Sequence, residues 1–387
     1  MTRVAIVDAV RTPIGRRNGG LSTVHPVDLL GTALRAVVER SGIDPGSVDQ
    51  VVGGCVTTAG EQAFNISRTA WLSAGLPLST ASTTVDSQCG SSQQALNLAA
   101  GLVATGGADV VIAGGVESMS RVGMGASMMN GPGSPIPPSY PYGFASQFEG
   151  AELIAEQWGI TRDDTDRFGF ASQERAAQAW AEGRFDREVV PVEAAVPDAE
   201  DGAKVTVARD EGLRGTSLDK LSTLKPVGRP NGVHTAGSSS QVSDGAAAVL
   251  LMSEDRAHSL GLPVRAVLTH QCLVGVDPKT MLTGPIDATE RLLDRSGTTI
   301  DDFDLFEINE AFASVVLAWA RASGADLERT NVNGGAIAIG HPLGASGVRL
   351  VTTALHELER RNGTRALISM CCGGGLGTGS IIERPTT

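Results

Sequence analysis

A chain of 387 residues is longer than a single apolar core usually supports, which predicts two or more closely joined domains. With 41% hydrophobic and 19% charged residues, the composition is that of a globular protein and excludes a disordered or membrane-spanning chain. A net charge of -12 without a clustered basic surface excludes nucleic-acid binding, but still permits an anionic small ligand held by a few arginines or helix amino-termini.

The chain opens on Arg3-Val4-Ala5-Ile6-Val7, a strand-like run without a charged leader and cleavage site, so no export is expected. Arg40-Ser41-Gly42 then closes a helix, with a basic residue in the last turn and glycine just past it, and Val48 to Cys55 reads as a buried strand. Next, the turn Asp86-Ser87-Gln88-Cys89-Gly90 leads into an apolar-periodic helix reaching Val103, followed by the strand Asp109 to Gly115. The stretch Ala95 to Val116 is apolar, yet Asp109 and two Gly-Gly pairs mark a buried helix and strand rather than a membrane span.

Residues 119 to about 242 have a different character. Met124 to Tyr142 is a long loop rich in Gly, Pro, Ser and Met, the kind that serves function or assembly. Thr161-Arg162-Asp163-Asp164 resembles a capping box and opens a helix running through Gln173 and Trp180, so this region reads as a mostly helical insertion.

The pattern of the first half then returns. Arg295-Ser296-Gly297 closes a helix, Phe303 to Asn309 is the matching strand, Gly344-Ala345-Ser346-Gly347 opens a helix to Leu358, and Arg365 to Cys371 is again strand. An offset of 257 residues sets Ser346 on Cys89 and Cys371 on Gly114. Alternating helices and strands in duplicate predict an α/β fold with two largely parallel sheets facing each other.

Several residues can carry chemistry. Cys89 stands at a helix start, where a lowered thiol pKa and free N–H groups suit a nucleophile; a small buried hydrophobe is the other reading of a lone cysteine. His341, between four glycines and Pro342, can take a thiol proton, or simply hydrogen-bond within its loop. Cys371 precedes Gly373-Gly374-Gly375, which suits close approach of a substrate and equally a tight turn. Asn309 closes a strand, where α/β sheets present functional groups and where asparagines also cap. The five cysteines, at 55, 89, 272, 371 and 372, are odd in number and lack a C-x-x-C pair, which favours reduced cytoplasmic thiols over disulfides or a zinc site. Dinucleotide, P-loop, nucleophile-elbow and H-E-x-x-H templates are all absent.

Taken together, Val85-Asp86-Ser87-Gln88-Cys89-Gly90-Ser91-Ser92, Asn309-Glu310-Ala311-Phe312, Gly340-His341-Pro342 and Cys371-Cys372-Gly373-Gly374-Gly375 resemble the four signatures of the thiolases. The likeness runs from Val10-Arg11-Thr12-Pro13-Ile14-Gly15 to the carboxy-terminus. It implies two βαβαβαββ halves in a five-layered α/β/α/β/α core: residues 1–118 with 243–264, then 265–387, with 119–242 as a loop domain over the substrate and an assembly arm.

The resemblance also implies roles. Cys89 is the acylated nucleophile, His341 its base, and Cys371 the acid and base at the substrate α-carbon. Asn309, through a water, and His341 form one oxyanion hole; the N–H groups of Cys89 and Gly373 form the other. Arg214 lies near the coenzyme A nucleotide, while Ser240, Met281 and Phe312 line the pantetheine side. The reaction is thiolysis of a 3-ketoacyl-CoA or its reverse, with coenzyme A as substrate and no cofactor or metal. The expected assembly is a homo-tetramer built as a dimer of dimers, without nucleic-acid or membrane partners. Where short-chain biosynthetic thiolases carry a His-Met-Gly turn, this chain has Ser146-Gln147-Phe148-Glu149, similar to actinobacterial thiolases that shorten steroid side chains. A bulky acyl chain is therefore expected in preference to acetoacetyl-CoA. A decarboxylating ketosynthase of the same fold is disfavoured by the second sulfur, and a silent acyl-CoA carrier by the presence of Cys89, Asn309, His341 and Cys371.

Overall fold

In the computed structural model, which describes residues 2–129, 133–143, 145–196 and 202–385, the paired stop signals act as expected. Helix α1 (Pro26–Ser41) ends at Gly42 with φ 70°, and the helix Gly284–Ser296 ends at Gly297 with φ 65°. Glycine enters this left-handed region without the steric cost a Cβ imposes, so both reversals follow from composition.

The first half supplies strands β1 (Val4–Arg11), β2 (Gln50–Gly54), β3 (Ala81–Val85), β4 (Val110–Ser118) and β5 (Ser243–Ser253), with helix α2 (Ser91–Thr105) between β3 and β4. Strand β2 pairs in parallel with β3 and β4, and β5 runs antiparallel to both β4 and β1. Residues 119–242 lie between β4 and β5 and carry helices α3 (Gln147–Gln157) and α4 (Arg162–Ala181). Both bonds of the Thr161–Asp164 capping box are present at the start of α4.

The second half repeats the plan with β6 (Ala266–Gly275), β7 (Leu305–Ile308), β8 (Arg365–Cys372) and β9 (Leu376–Glu383), and helices α5 (Gly284–Ser296), α6 (Ala313–Ser323) and α7 (Ser346–Arg361). Here β7 and β8 are parallel, whereas β9 is antiparallel to β8 and β6.

Strand alternation sorts the apolar residues into layers. Val110 and Ile112 point outward to Leu30, Leu34 and Val37 of α1, whereas Val111 and Ala113 point inward to α2 and α7. From the other side Ile368, Met370 and Ile382 meet the same two central helices, and Phe306, Leu367 and Ile381 face α5 and α6. The order α, β, α, β, α therefore follows from which face of each strand is apolar.

Three details depart from expectation. The sheets are mixed rather than largely parallel, because each half ends in an antiparallel pair, β4–β5 or β8–β9. Strands buried on both faces read as continuous apolar runs in either orientation, so periodicity does not report direction. The halves also join along one edge, where Val4, Ala5 and Ile6 of β1 pair with Leu268, Val267 and Ala266 of β6. The insertion, expected to be mostly helical, is largely irregular outside α3, α4 and two short helical turns, and it contains an antiparallel pair, Val192–Ala195 with Lys204–Val207. Arg11 of β1 anchors this region through buried ion pairs to Glu188 (2.6 Å) and Asp210 (2.7 Å). Within the expected Met124–Tyr142 arm, residues 130–132 lie outside the described residues; before them is one helical turn, Ala126–Met129.

Candidate active site

Cys89 stands between the end of β3 and the first turn of α2, in a turn closed by its own neighbours. The Gln88 N–H donates to Asp86 Oδ1 at 2.7 Å, and Ser91 Oγ donates to the Gln88 carbonyl at 2.5 Å while accepting from the Ser87 N–H at 3.0 Å. These bonds hold Gln88 at φ 52°, a conformation that a residue with a Cβ adopts only under constraint. Gly90 completes the turn, since a Cβ there would fall 2.5 Å from Cys372 Sγ. Cys372 thus has a packing role beneath the Cys89 turn, one the sequence alone did not assign.

Burial pushes the Cys89 thiol up to about 11, opposed by the nearby backbone N–H groups of Gly373 and of Cys89 itself. Desolvation therefore outweighs the lowering expected from the helix start, and the thiol needs a base to ionise. Gly373 comes from the turn between β8 and β9, where Gly374 and Gly375 take φ of 79° and 81°. Cys371, on β8, is raised by burial and further by the nearby sulfurs of Cys89 and Cys372, so it keeps its proton at neutral pH.

His341 is held from three sides. Its N–H donates to Gln241 O at 3.2 Å and Ser243 Oγ at 3.1 Å; its Nδ1 is 2.6 Å from Ser346 Oγ; its Nε2 is 3.3 Å from Asn309 Nδ2. Ser346 also donates to the Pro342 carbonyl at 2.8 Å, and a carbonyl only accepts. The serine must then accept from Nδ1–H, which leaves Nε2 unprotonated, accepting from Asn309 Nδ2 and able to receive a proton. Burial, with the charge of Arg349, lowers the imidazole to about 3, keeping it neutral. Asn309 follows β7 directly, with its Oδ1 buried and without a partner among the described residues.

The halves are tied together beneath the site by Glu117 at the end of β4. Its carboxylate accepts from the N–H groups of Val56 (3.0 Å), Thr57 (3.0 Å) and Gly344 (2.9 Å) and from Gln62 Nε2 (2.8 Å). Gly344 is three residues beyond His341, so a first-half carboxylate fixes the second-half histidine loop.

Two halves of matching plan thus place the Cys89 and Cys371 sulfurs close to each other and hold the His341 imidazole against Asn309. The model of the thiolase N-terminal domain matches residues 4–255 and that of the C-terminal domain matches residues 262–384. The chain belongs to the thiolase family. Along 99% of its length it is 47% identical to the steroid 3-ketoacyl-CoA thiolase FadA6 of Mycobacterium tuberculosis, covering 95% of that protein. It is 40% identical to the 3-ketoacyl-CoA thiolase of Bacillus subtilis, covering 99% of this chain and 100% of that one. The crystal structure of the Bacillus anthracis acetyl-CoA acetyltransferase superposes with a TM-score of 0.91 at 36% identity, over 100% of this chain and 99% of the other. The protein is therefore an acyltransferase of the thiolase class.

In this thiolase the residues expected on the coenzyme A side form a second group. Phe312 caps α6, with its ring edge-on to Phe148 (5.3 Å) and His234 (5.4 Å), and its neighbour Ala311 accepts from the Ser240 N–H at 2.9 Å. Met281 and Cys371 share one apolar cluster with Phe312, so Met281 is a core residue whatever else it touches. Arg214 is exposed; its Nη2 lies 3.4 Å from the Ala236 carbonyl, and no carboxylate pairs with it among the described residues. Gln147 of α3 comes up to Gly373, its Nε2 3.5 Å from where a Cβ would stand.

Sequence reasoning missed Glu117, the tautomer-setting Ser346 and the pair Glu152–His234. A carboxylate inside an apolar strand run was the available signal for Glu117. Glu152 is buried but accepts from His234 Nδ1 (3.0 Å) and from the N–H groups of Val233 (2.9 Å) and His234 (3.0 Å). Burial opposes ionisation here, yet these bonds win and take the carboxylate down to about 2 from 4.5. A depressed acid stabilises the fold above its unfolded pKa and loses that contribution as pH falls through the folded value. Glu152→Gln is thus expected to melt below the wild type at pH 7, with the gap closing between pH 4.5 and about 2 in thermal melts. A gap independent of pH would refute this.

Proposed function

We propose that Cys89, His341 and Cys371 carry the thiolase reaction on a bulky 3-ketoacyl-CoA. What supports this most is that the backbone N–H of Gly373 and the sulfur of Cys371 both lie close to the Cys89 thiol. Attack by Cys89 on the 3-keto carbon forms the sulfur–carbon bond as the thiol proton moves to His341 Nε2. The bond between C2 and C3 then breaks, and its electron pair leaves on the departing enolate. Cys371 donates its proton to that carbon, releasing acetyl-CoA or a related acyl-CoA. Coenzyme A loses its thiol proton to Cys371 and attacks the acyl-Cys89; the sulfur–carbon bond to Cys89 breaks, and the proton held on His341 Nε2 returns to the freed sulfur.

Each oxyanion needs its own donors. The N–H groups of Cys89 and Gly373 suit the tetrahedral oxygen at the acyl-cysteine, and Asn309 with His341 suits the enolate oxygen. Arg214, without a carboxylate partner among the described residues, suits the nucleotide phosphates, and Ser240, Met281 and Phe312 suit the pantetheine arm. Coenzyme A is then a substrate, and no other cofactor or metal takes part.

Support for a bulky acyl group comes from the Gln147-Phe148-Glu149 start of α3 beside Gly373 and from the 47% identity to a steroid thiolase. Residues 119–242 serve as the domain covering the substrate, on a core of 1–118 with 243–264 and of 265–387. The exposed Met124, Met128, Met129, Tyr140 and Tyr142 support an arm for assembly into a tetramer as a dimer of dimers. Five free, buried thiols favour work in a reducing cytoplasm.

The test is a thiolysis panel from acetoacetyl-CoA to a steroid-derived 3-ketoacyl-CoA. Ping-pong kinetics are expected, with kcat/KM for the bulky substrate at least about tenfold higher, equivalent to about 1.4 kcal/mol of extra transition-state binding. A preference for acetoacetyl-CoA would overturn the substrate assignment, and no coenzyme A-dependent cleavage of any member would overturn the reaction.

A further inference from the structure

Two buried charges stand behind the imidazole, and the reaction as described leaves them unused. Glu307 precedes Asn309 by two residues at the end of β7, which places both on one face of the strand. Arg349 follows Ser346 by three residues in α7, which places both on one face of the helix. Asn309 and Ser346 each bond one nitrogen of His341, so the two faces converge around the ring. One step further back, Arg349 Nη1 and Glu307 Oε2 approach to 3.6 Å, with side chains at most 2% exposed.

That separation is too long for a direct charge-assisted hydrogen bond. Among the described residues, both Glu307 oxygens and all three Arg349 nitrogens are buried without a hydrogen-bond partner. Uncompensated burial of such groups costs several kcal/mol, and ordered water is the usual remedy for buried polar atoms in native proteins.

Neighbouring charges do not serve instead. Arg11 is committed to Glu188 and Asp210, and Glu188 also accepts from Thr353; Glu310 accepts from Ser172, Asn331 and the Ile337 N–H; Glu357 holds Asn333, Arg360 and Arg361; Glu117 is filled by its four donors. Burial raises Glu307 to about 8 despite the attraction of Arg349, so near neutral pH the guanidinium charge is not fully balanced.

We infer that Glu307 and Arg349, bridged by ordered water, are positioning residues for His341: the guanidinium sets a fixed positive charge behind the ring, and Glu307 keeps the guanidinium in place. This rests on His341 acting as the base for Cys89. Removing the positive charge should let the imidazole protonate at higher pH, and proton transfer from Cys89 should fail there.

The readout is the rate of Cys89 alkylation by iodoacetamide against pH, followed by intact mass, with circular dichroism marking where each protein stays folded. Wild type and Arg349→Lys should react down to the lowest pH at which they remain folded. Arg349→Met, and the double variant Arg349→Met with Glu307→Met, should lose reactivity at a pH higher by roughly one unit or more, as expected for loss of one partly screened interior charge. The double variant decides the matter if the single one does not fold, because an apolar pair avoids a stranded charge. A wild-type profile in either Met variant would overturn the inference. A high-resolution wild-type crystal structure should show water between the two side chains, and a dry direct contact would overturn it as well. Label persisting in Cys89→Ala would instead count against the proposed chemistry, which separates the two failures.

Discussion

Cys89→Ala is expected to leave no acyl-enzyme detectable by intact mass and to slow thiolysis by at least about a thousandfold, the order by which covalent enzymes lose activity with their nucleophile. Cys371→Ala should behave differently. Its Cys89 retains the nearby N–H groups of Gly373 and of Cys89 itself and the unprotonated Nε2 of His341, so the acyl group should still load. What is lost is the proton exchange at the α-carbon, which general acid–base catalysis accelerates by about a hundred to ten thousandfold. The pair of variants therefore splits the reaction into halves. Persistent acylation of the first variant, or unimpaired condensation by the second, would overturn the roles given to these sulfurs.

Glu117→Ala is expected to be the most damaging change outside the reacting groups. Its carboxylate satisfies four buried donors from three segments: Val56-Thr57, Gln62 and Gly344. Each donor left without an acceptor costs about 1–3 kcal/mol, and the costs overlap, so a total of about 3–5 kcal/mol is expected. Calorimetry should show melting lowered by at least several degrees. Glu117→Gln, which keeps one carbonyl oxygen as acceptor, should lose less. Because Gly344 anchors the loop bearing His341, kcat should fall in both variants with little change in KM. A melting temperature within about one degree of wild type for Glu117→Ala would remove Glu117 from this role.

The residues proposed to react stand out in the sequence because their surroundings depart from ordinary core composition. Three consecutive glycines after Cys371, polar neighbours around Cys89 and a proline beside His341 each break the pattern of an ordinary core. The duplication was legible through its punctuation, since Gly42 and Gly297 occupy equivalent helix ends. Strand direction was not, because Val110 to Val116 and Arg365 to Cys372 are buried along almost their whole length and carry no alternation. The small pair Val192–Ala195 and Lys204–Val207 was missed because four residues are too few to register a period. Ser346, Arg349 and Glu307 escaped for a different reason: their significance lies in partners on other elements, and no local window contains both ends of such a contact.

The two halves close their last strand pair over very different lengths of chain. Cys371 meets Gly377 across a glycine turn, whereas Val110 reaches Met252 only after residues 119–242 have been threaded between them. Closing a long loop costs entropy before any pairing compensates it, and distant pairings form slowly. The carboxy-terminal hairpin can zip early as a local unit, while the amino-terminal sheet must wait for the intervening segment to collapse. Nascent chains of this protein thus expose the apolar edges of β1 and β4 until synthesis has passed β5, the interval in which a chaperone has most to shield.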